Sequence, residues 1–396
     1  MFESISIGRA ALVDVATVGT LAECLLFYGH VHVIVDHPTF TTLARVCGPE
    51  TLVGLVQDGY LAITFLENRP AIASRETGTG ERHGFVFYEA KGYDSQNLIP
   101  RVLQELTGKS GKGRRLAGKL LAKISTKRYT TSELAGVIDE VIDPSYTDRV
   151  VPELLSAIAP TYTPPANSIF RVHRISDASF ANAFVVETNI DLDRANVEYR
   201  KAKPAETLSK SLLIDYLYEG SAEIAFAANT TSELALAKTE SLIIEAKLST
   251  TLERSTQSNN VRSAFQRVAV PGARSVAEAV NEGRRSLEDV RRLLPKAEKF
   301  RKWLASQPCD ADLIQNYVQE TTSLDWVSEL PAKTLRFVLF NAAQIALGAA
   351  IAGPPGAVAG LVIGASDTFL LDKIAAGWKP HQFIRGPFAK FLGQAG

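Results

Sequence analysis

The chain has 396 residues, of which 46% are hydrophobic and 22% are charged, a composition that supports folded domains and excludes a largely disordered protein. Its 43 basic residues are balanced by 43 acidic ones, so no global field directs the protein towards nucleic acid or lipid. Any electrostatic partner must therefore bind a local patch, and nucleic acid is not expected as a partner.

The cysteines and the first residues indicate the compartment. Cys24, Cys47 and Cys309 are odd in number and lack metal-ligand spacing, which argues against a disulfide framework. The N-terminal residues contain no basic stretch followed by a continuous apolar core, so we predict no secretory signal. The sequence therefore predicts a cytoplasmic protein, and it offers no motif for a cofactor.

The first half of the chain alternates between strand and helix patterns. Runs rich in β-branched and aromatic residues predict strands at 23–36, 60–67, 84–91, 168–175 and 183–190, with a polar loop between the second and the third. Helical spacing predicts short helices at 39–46 and 50–57. Together these elements predict an α+β domain over residues 1–204.

The segment 107–132 has the sharpest charge asymmetry, with eight basic residues and no acidic one. Leu116, Leu120, Leu121 and Ile124 recur at helical spacing, so we predict a basic amphipathic helix that lies on anionic membrane lipids. Each basic residue near such a surface contributes about 1 kcal/mol. The alternative is a solvated face that pairs with acids such as Glu133. The residues predicted to bind the anionic surface are Lys112, Arg114, Arg115, Lys119, Lys123, Lys127 and Arg128.

A weaker pattern points to nuclease chemistry. Glu89-Ala90-Lys91 and Glu245-Ala246-Lys247 match half of a metal-dependent nuclease site, in which carboxylates hold Mg²⁺ and a lysine steadies developing negative charge. No motif marks the further carboxylate that such a site requires, and Asp58 or Glu67 are guesses for it. We therefore keep a metal-dependent nuclease as an alternative only.

Two further patterns lie between residues 30 and 67. His30 and His32 face one side of a strand, a spacing that can ligate a metal with Asp36 and His37, although such histidines more often line a polar face. The segment 38–67 is also compatible with two helices and a hairpin, as in a winged DNA-binding module. Neither short helix is notably basic, so DNA recognition has little support.

Helical patterns dominate from about residue 205, and we predict a helical domain over 205–332. Apolar residues recur at three- and four-residue steps over 208–228 and 232–248. The clearest amphipathic stripe runs over 275–305, and Pro295 is expected to kink or divide that helix.

The last domain, predicted over 333–396, contains thirty consecutive residues without a charged side chain, from Phe337 to Ser366. Gly353-Pro354-Pro355-Gly356 divides this run and predicts a hairpin of two apolar helices. Each arm is about 26 Å long, just short of a bilayer core of about 30 Å. The hairpin either inserts into a membrane or forms the buried centre of a soluble helical domain. The small residues predicted to pack helices are Gly348, Gly356, Gly360 and Gly364.

The flanks of this hairpin agree with entry from the cytoplasmic face. Basic residues gather at both of its ends, as the positive-inside rule requires. Trp378 and Phe383 are aromatic side chains of the kind that settle at the headgroup level, so we predict that the basic tail lies along the membrane interface.

The string DTFLLDKIAAGWKPHQFI (Asp367 to Ile384), together with the Gly-rich hairpin before it, resembles the end of an uncharacterised bacterial protein family. The resemblance extends to RRLLPKAEKFRKWLA (Arg291 to Ala305) and to CLLFYGHVHVIVD (Cys24 to Asp36). It implies one multi-part bacterial polypeptide, and it transfers neither a reaction nor a site residue.

These features predict a membrane-acting effector, in its most specific form a pore-former in bacterial conflict or phage defence. The N-terminal half would sense a ligand, a partner or an anionic surface, and the hairpin would then enter the inner membrane from the cytoplasm. A homo-oligomer on insertion and a protein partner encoded nearby are the other expected partners. The alternatives are a soluble binding or scaffold protein with the hairpin as its core, and the metal-dependent nuclease.

Overall fold

The computed structural model describes residues 2–9, 17–78, 80–89, 92, 94–177, 180, 182–229, 233–235, 276–307 and 380–393. The chain divides into two compact units. We call Ser4–Val18 with His30–Thr256 the sheet unit, and Met1–Glu3 with Gly19–Gly29 and Gln257–Gly396 the helical unit. Helices and sheets are both present, which confirms the predicted α+β class. The predicted domain boundaries at 204 and 332 stay predictions.

A five-stranded parallel sheet forms one half of the sheet unit. Its strands are β1 (Ser4–Ile7), β2 (His30–Val35), β3 (Leu61–Leu66), β6 (Ser125–Lys127) and β9 (Glu233–Ala235), in the order β6-β3-β2-β1-β9. Val33 is opposite Ile7 on one side and Ile63 on the other, and all three are buried. Near-continuous runs of Val, Ile and Leu are typical of parallel strands that are covered on both faces.

Two helices connect β2 to the parallel strand β3. These are α2 (His37–Cys47) and α3 (Pro49–Gln57), both predicted. Asp36 begins α2 as its N-cap, because its carboxylate accepts the backbone N–H of Thr39 at 3.1 Å. The winged-module prediction is wrong, because β3 pairs in parallel with β2 and β6 and does not form a hairpin after the two helices.

The second sheet is antiparallel and has the order β4-β5-β8-β7. Its strands are β4 (Arg69–Thr77), β5 (Gly80–Tyr88), β7 (Phe170–Arg174) and β8 (Ala183–Thr188). The predicted polar loop between 67 and 84 is wrong, because β4 pairs with β5 along its whole length, from Arg69 opposite Tyr88 to Thr77 opposite Gly80. Pro70 is tolerated near the start of β4 because β4 is an edge strand.

Helices cover both sheets and complete the core of the sheet unit. They are α4 (Ser95–Thr107), α5 (Ser110–Leu121), α6 (Ala135–Val141), α7 (Pro144–Ile158), α8 (Leu192–Ala202) and α9 (Lys210–Asn229). Phe85 of β5 lies 4.7 Å from the ring of Phe184 and 5.0 Å from the ring of Tyr218 on α9. The helix predicted at 208–228 is confirmed, because it corresponds to α9. Residues 233–235, which belong to the next predicted helix, form β9 instead.

The helical unit contains α1 (Thr17–Phe27), α10 (Val276–Asn281) and α11 (Leu287–Ala305). The strand predicted at 23–36 is wrong in its first part, because residues 23–27 belong to α1. The helix predicted over 275–305 is interrupted before Ser286, which caps α11, and Pro295 lies inside α11 without ending it. The ring of Phe300 lies 6.3 Å from the ring of Phe27.

The last described range, residues 380–393, contains α12 (Pro380–Phe383), a π-helical turn (Ile384–Phe388) and α13 (Ala389–Leu392). Phe383 stacks on Phe300 at 4.9 Å and on Phe388 at 5.7 Å, so these rings share one aromatic core within the helical unit. This overturns the expectation that the ring of Phe383 lies at a membrane interface, because only 2% of the residue is exposed.

Candidate functional site

Helix α5 is two-sided. Gly113, Leu116, Ala117 and Leu120 are buried, and α5 packs on α4 through this side. Arg114, Arg115 and Lys119 lie on the opposite, exposed side. Gly113 permits the close crossing, because a Cβ atom at this position would lie 2.4 Å from the Cα of Gln104.

The seven basic residues predicted to bind an anionic surface separate into two groups. Lys112 forms an ion pair with Glu50, Lys127 with Glu133 and Arg128 with Glu89. Among the described residues, the remaining four form no ion pair with an acidic side chain. We call these four the basic face: Arg114, Arg115, Lys119 and Lys123.

The predicted basic helix is correct for residues 110–121 and wrong beyond them. Lys127 lies in β6, which extends the parallel sheet, and residues 122–132 form no helix. The apolar side is also not available to lipid as predicted, because Leu116 is 7% exposed and Leu120 is completely buried. The basic face therefore offers charge to a partner, and it offers no apolar side to insert.

The predicted membrane segment lies outside the described residues. This applies to Gly348, Gly356, Gly360 and Gly364 and to Trp378. Within the described ranges, no helix combines the length and the apolar character that crossing a membrane requires.

A second polar site, which the sequence did not predict, lies where parallel strands end. Arg9 follows β1, Asp36 follows β2, and Glu67, Asn68 and Arg69 come after β3. The carboxyl ends of neighbouring parallel strands meet at one edge of a sheet, and ligands of open α/β sheets bind in the crevice outside that edge.

Arg9 is the centre of the ion pairs at this edge. Its guanidinium lies 3.2 Å from a carboxylate oxygen of Asp36 and also pairs with Glu219. Its backbone N–H donates to Glu223 at 3.0 Å. Arg69 binds the other oxygen of Glu219 at 2.8 Å. Two helix residues from α9 are thus bound to the ends of the strands.

Asp215, one turn before Glu219 on α9, carries a perturbed carboxyl group. Burial and the nearby charge of Glu219 raise its pKa to about 7, against the effects of Arg69, the Ile72 hydrogen bond and Arg9. Its carboxylate accepts the backbone N–H of Ile72 at 3.1 Å. This carboxyl group therefore changes its protonation near neutral pH.

A cleft of about 250 Å³ opens beside these residues. It is lined in part by Asp36, His37, Glu67, Asn68, Arg69 and Tyr88. Asn68 is buried, and its amide donates to the carbonyl of Tyr129 at 2.9 Å and accepts the N–H of Tyr129 at 2.7 Å. Tyr88 is 55% exposed, and the guanidinium carbon of Arg69 lies 5.3 Å from its ring centroid.

No protein-family model, curated protein or solved structure matches this chain. The resemblance of its termini to a bacterial family stays a prediction.

The residues predicted to bind a metal are all described, whereas the nuclease pattern is described only in part. Asp36 and His37 line the cleft together with Glu67. His32 shares a hydrogen bond of 2.8 Å with the hydroxyl of Thr64, and burial lowers its pKa. Glu89 pairs with Arg128, while Lys91, Glu245 and Lys247 lie outside the described residues. In the part of the chain that is described, no three His, Cys, Asp or Glu side chains are placed to hold a metal ion.

Proposed function

We propose that this chain is a membrane-acting effector of bacterial origin, which docks on anionic lipid through the basic face and acts through its C-terminal apolar segment. The observation that carries this proposal is the run of thirty uncharged residues from Phe337 to Ser366, in a chain in which 22% of all residues are charged. Action from the cytoplasm on the inner membrane, in conflict or phage defence, is the context that we infer for it.

The geometry of α5 supports the docking step. Arg114, Arg115 and Lys119 are exposed on α5, and Lys123 is exposed in the turn after it. None of the four pairs with an acidic side chain among the described residues. Near an anionic bilayer each such cation contributes about 1 kcal/mol, so the four together bring a weakly binding protein to the surface. Because the apolar side of α5 is buried, this binding is electrostatic and must fall steeply with salt.

The sequence of the C-terminal segment supports the acting step. Two apolar arms joined by Gly353-Pro354-Pro355-Gly356 bring both ends of the segment to the same side, where Arg336 and Lys373 remain with the headgroups. The spacing of Gly356, Gly360 and Gly364 favours close helix contacts within the bilayer. We infer that copies of this chain associate there, and that a pore is the outcome.

Co-sedimentation with vesicles tests the docking step. The variant Arg115→Glu, Lys119→Glu, Lys123→Glu reverses three charges of the basic face. The control variant Arg194→Glu, Arg200→Glu, Lys201→Glu makes the same charge change on α8, which is also exposed. Vesicles contain phosphatidylglycerol, or phosphatidylcholine alone.

We expect the basic-face variant to bind anionic vesicles at least about tenfold more weakly than the wild type, because three side chains that attract the anionic surface become side chains that it repels. The α8 variant should bind like the wild type, and neither protein should bind the zwitterionic vesicles. If both variants lose vesicle affinity equally, binding depends on the net charge of the protein and not on the basic face. No binding of the wild type at any salt concentration would favour the soluble binding or scaffold protein.

A further inference from the structure

The cleft at the carboxyl edge of the parallel sheet has the features of a small-ligand site. We propose that it binds a nucleoside, an uncharged ligand that combines a planar ring with vicinal hydroxyl groups. This inference goes beyond membrane docking and concerns different residues of the sheet unit.

Position and size give the first argument. The cleft is lined by residues that follow β2 and β3, the position at which open parallel sheets bind ligands. Its volume of about 250 Å³ lies slightly below the range of about 300–1,000 Å³ that is usual for small-molecule pockets. A ligand of one ring system and one sugar suits this volume, whereas a dinucleotide does not.

Tyr88 provides the surface for a ring. In the described part of the chain, the large apolar side chains that are exposed are Val46, Tyr88 and Val197, and of these Tyr88 alone is aromatic. It lines the cleft, and Arg69 holds it by a cation–π contact of 5.3 Å to the ring centroid. An exposed aromatic ring that is held in place stacks readily on a nucleobase.

Glu67 provides the acceptor for hydroxyl groups. The hydroxyl of Ser95 donates to its Oε1 atom at 2.7 Å, which fixes the side chain. A carboxylate has about four lone-pair sites, so the half-buried Glu67 retains capacity for the two hydroxyls of a ribose. A carboxylate after a strand of a parallel sheet is well suited to this contact.

The charges of the cleft disfavour a phosphate group. Asp36 is paired with Arg9 at 3.2 Å and Arg69 with Glu219 at 2.8 Å, so both of these charges are already balanced. Glu67 is the lining carboxylate that forms no ion pair among the described residues. His37 adds no charge near neutral pH, because burial and the nearby Arg101 lower its pKa. A phosphate group would therefore be repelled by the carboxylate of Glu67, whereas the hydroxyl groups of an uncharged nucleoside can donate to it.

Calorimetric titration of the full chain, without vesicles, tests the proposal and is independent of the docking experiment. The probes are adenosine, guanosine, cytidine and uridine, their 2′-deoxy forms and their 5′-monophosphates. We expect that at least one ribonucleoside binds with a dissociation constant below about 1 mM, and that its monophosphate and its deoxy form bind more weakly. No binding by any ribonucleoside, or tighter binding of the monophosphate, would overturn the proposal.

Two variants assign the binding to the cleft. Tyr88→Ala should lower the affinity at least about tenfold through lost stacking. Glu67→Gln, which can still accept the hydrogen bond from Ser95, should reduce the preference for ribose over deoxyribose. Val197→Ala removes an exposed apolar side chain of α8 and should leave the affinity unchanged. Because Tyr88 is exposed, its variant should keep the thermal stability of the wild type, and unchanged affinity in a folded Tyr88→Ala protein would contradict the assignment.

Discussion

The guanidinium of Arg9 lies 3.2 Å from the carboxylate of Asp36, and this contact joins the ends of β1 and β2. The same carboxylate caps α2 through the backbone N–H of Thr39. Arg9 also binds Glu219 and Glu223 of α9. One cation therefore holds two strands and two helices of the sheet unit in place beside the cleft.

Replacement of Arg9 by Met should destabilise the sheet unit. Only 13% of the Arg9 side chain is exposed, so its loss leaves three carboxylates together without their shared cation. Removing one partner from a buried ion pair costs about 3–5 kcal/mol. Urea unfolding followed by circular dichroism measures this change. Arg194→Met, at an exposed position of α8, is the control and should stay within about 0.5 kcal/mol of the wild type. A loss below about 1 kcal/mol for Arg9→Met would contradict a central role for this cation.

Two glycines on α5 should respond in opposite directions to the same substitution. A Cβ at Gly113 would meet the backbone of Gln104 at 2.4 Å, whereas nothing lies within 4 Å of a Cβ at Gly118. Gly113→Ala should therefore cost about 1–3 kcal/mol through overpacking against α4. Gly118→Ala should stabilise the protein by up to about 1 kcal/mol, because alanine favours the helix. Thermal unfolding of both variants decides the matter, and equal effects would show that α4 and α5 do not cross closely.

Asp215 should make stability depend on pH in a defined direction. Its pKa in the folded protein is raised to about 7, above the ordinary value of 3.8. Between these two values the folded state binds the proton more strongly than the unfolded state, so the free energy of unfolding falls as pH rises. Asp215→Asn removes this penalty and still offers an oxygen to the N–H of Ile72. The variant should gain stability relative to the wild type, and the gain should be about 2–3 kcal/mol larger at pH 8 than at pH 5.

Urea unfolding at both pH values provides the measurement for Asp215. Glu153→Gln, which changes an exposed carboxylate on α7, is the control and should shift stability little at either pH. A difference between Asp215→Asn and the wild type that is the same at pH 5 and pH 8 would mean that Asp215 is ionised throughout this range.

Local patterns predicted many of the elements, and the errors have a common cause. Cys24 to Phe27 is an apolar run that fits a strand or a helix equally well, and it is helical in α1, where Glu23 accepts the N–H of the distant residue Ala277. β4 carries few strand-forming residues and becomes a strand through its pairing with β5. β9 likewise depends on β1, more than two hundred residues earlier. For β4 and β9, strand pairing overrides local preference.

The site at the sheet edge also depends on contacts between residues that are far apart in the sequence. Arg9 and Glu219 are separated by 210 residues, so no sequence motif joins them. One signal was nevertheless present, since Asp36 and Glu67 each follow directly after a strand, where functional side chains of parallel sheets are found. The basic face was predicted from charge alone, but the ion pairs that occupy Lys112, Lys127 and Arg128 depend on tertiary structure.

Dye release from phosphatidylglycerol vesicles tests the central claim most directly. The comparison is between the wild type, a variant with Gly360→Leu and Ile363→Asp in the second apolar arm, and a control with Val197→Asp on the exposed surface of α8. We predict that the wild type and the control release the dye, and that the arm variant still binds the vesicles but does not release it. Equal release by all three proteins, or no release by the wild type, would contradict a membrane-acting C-terminal segment.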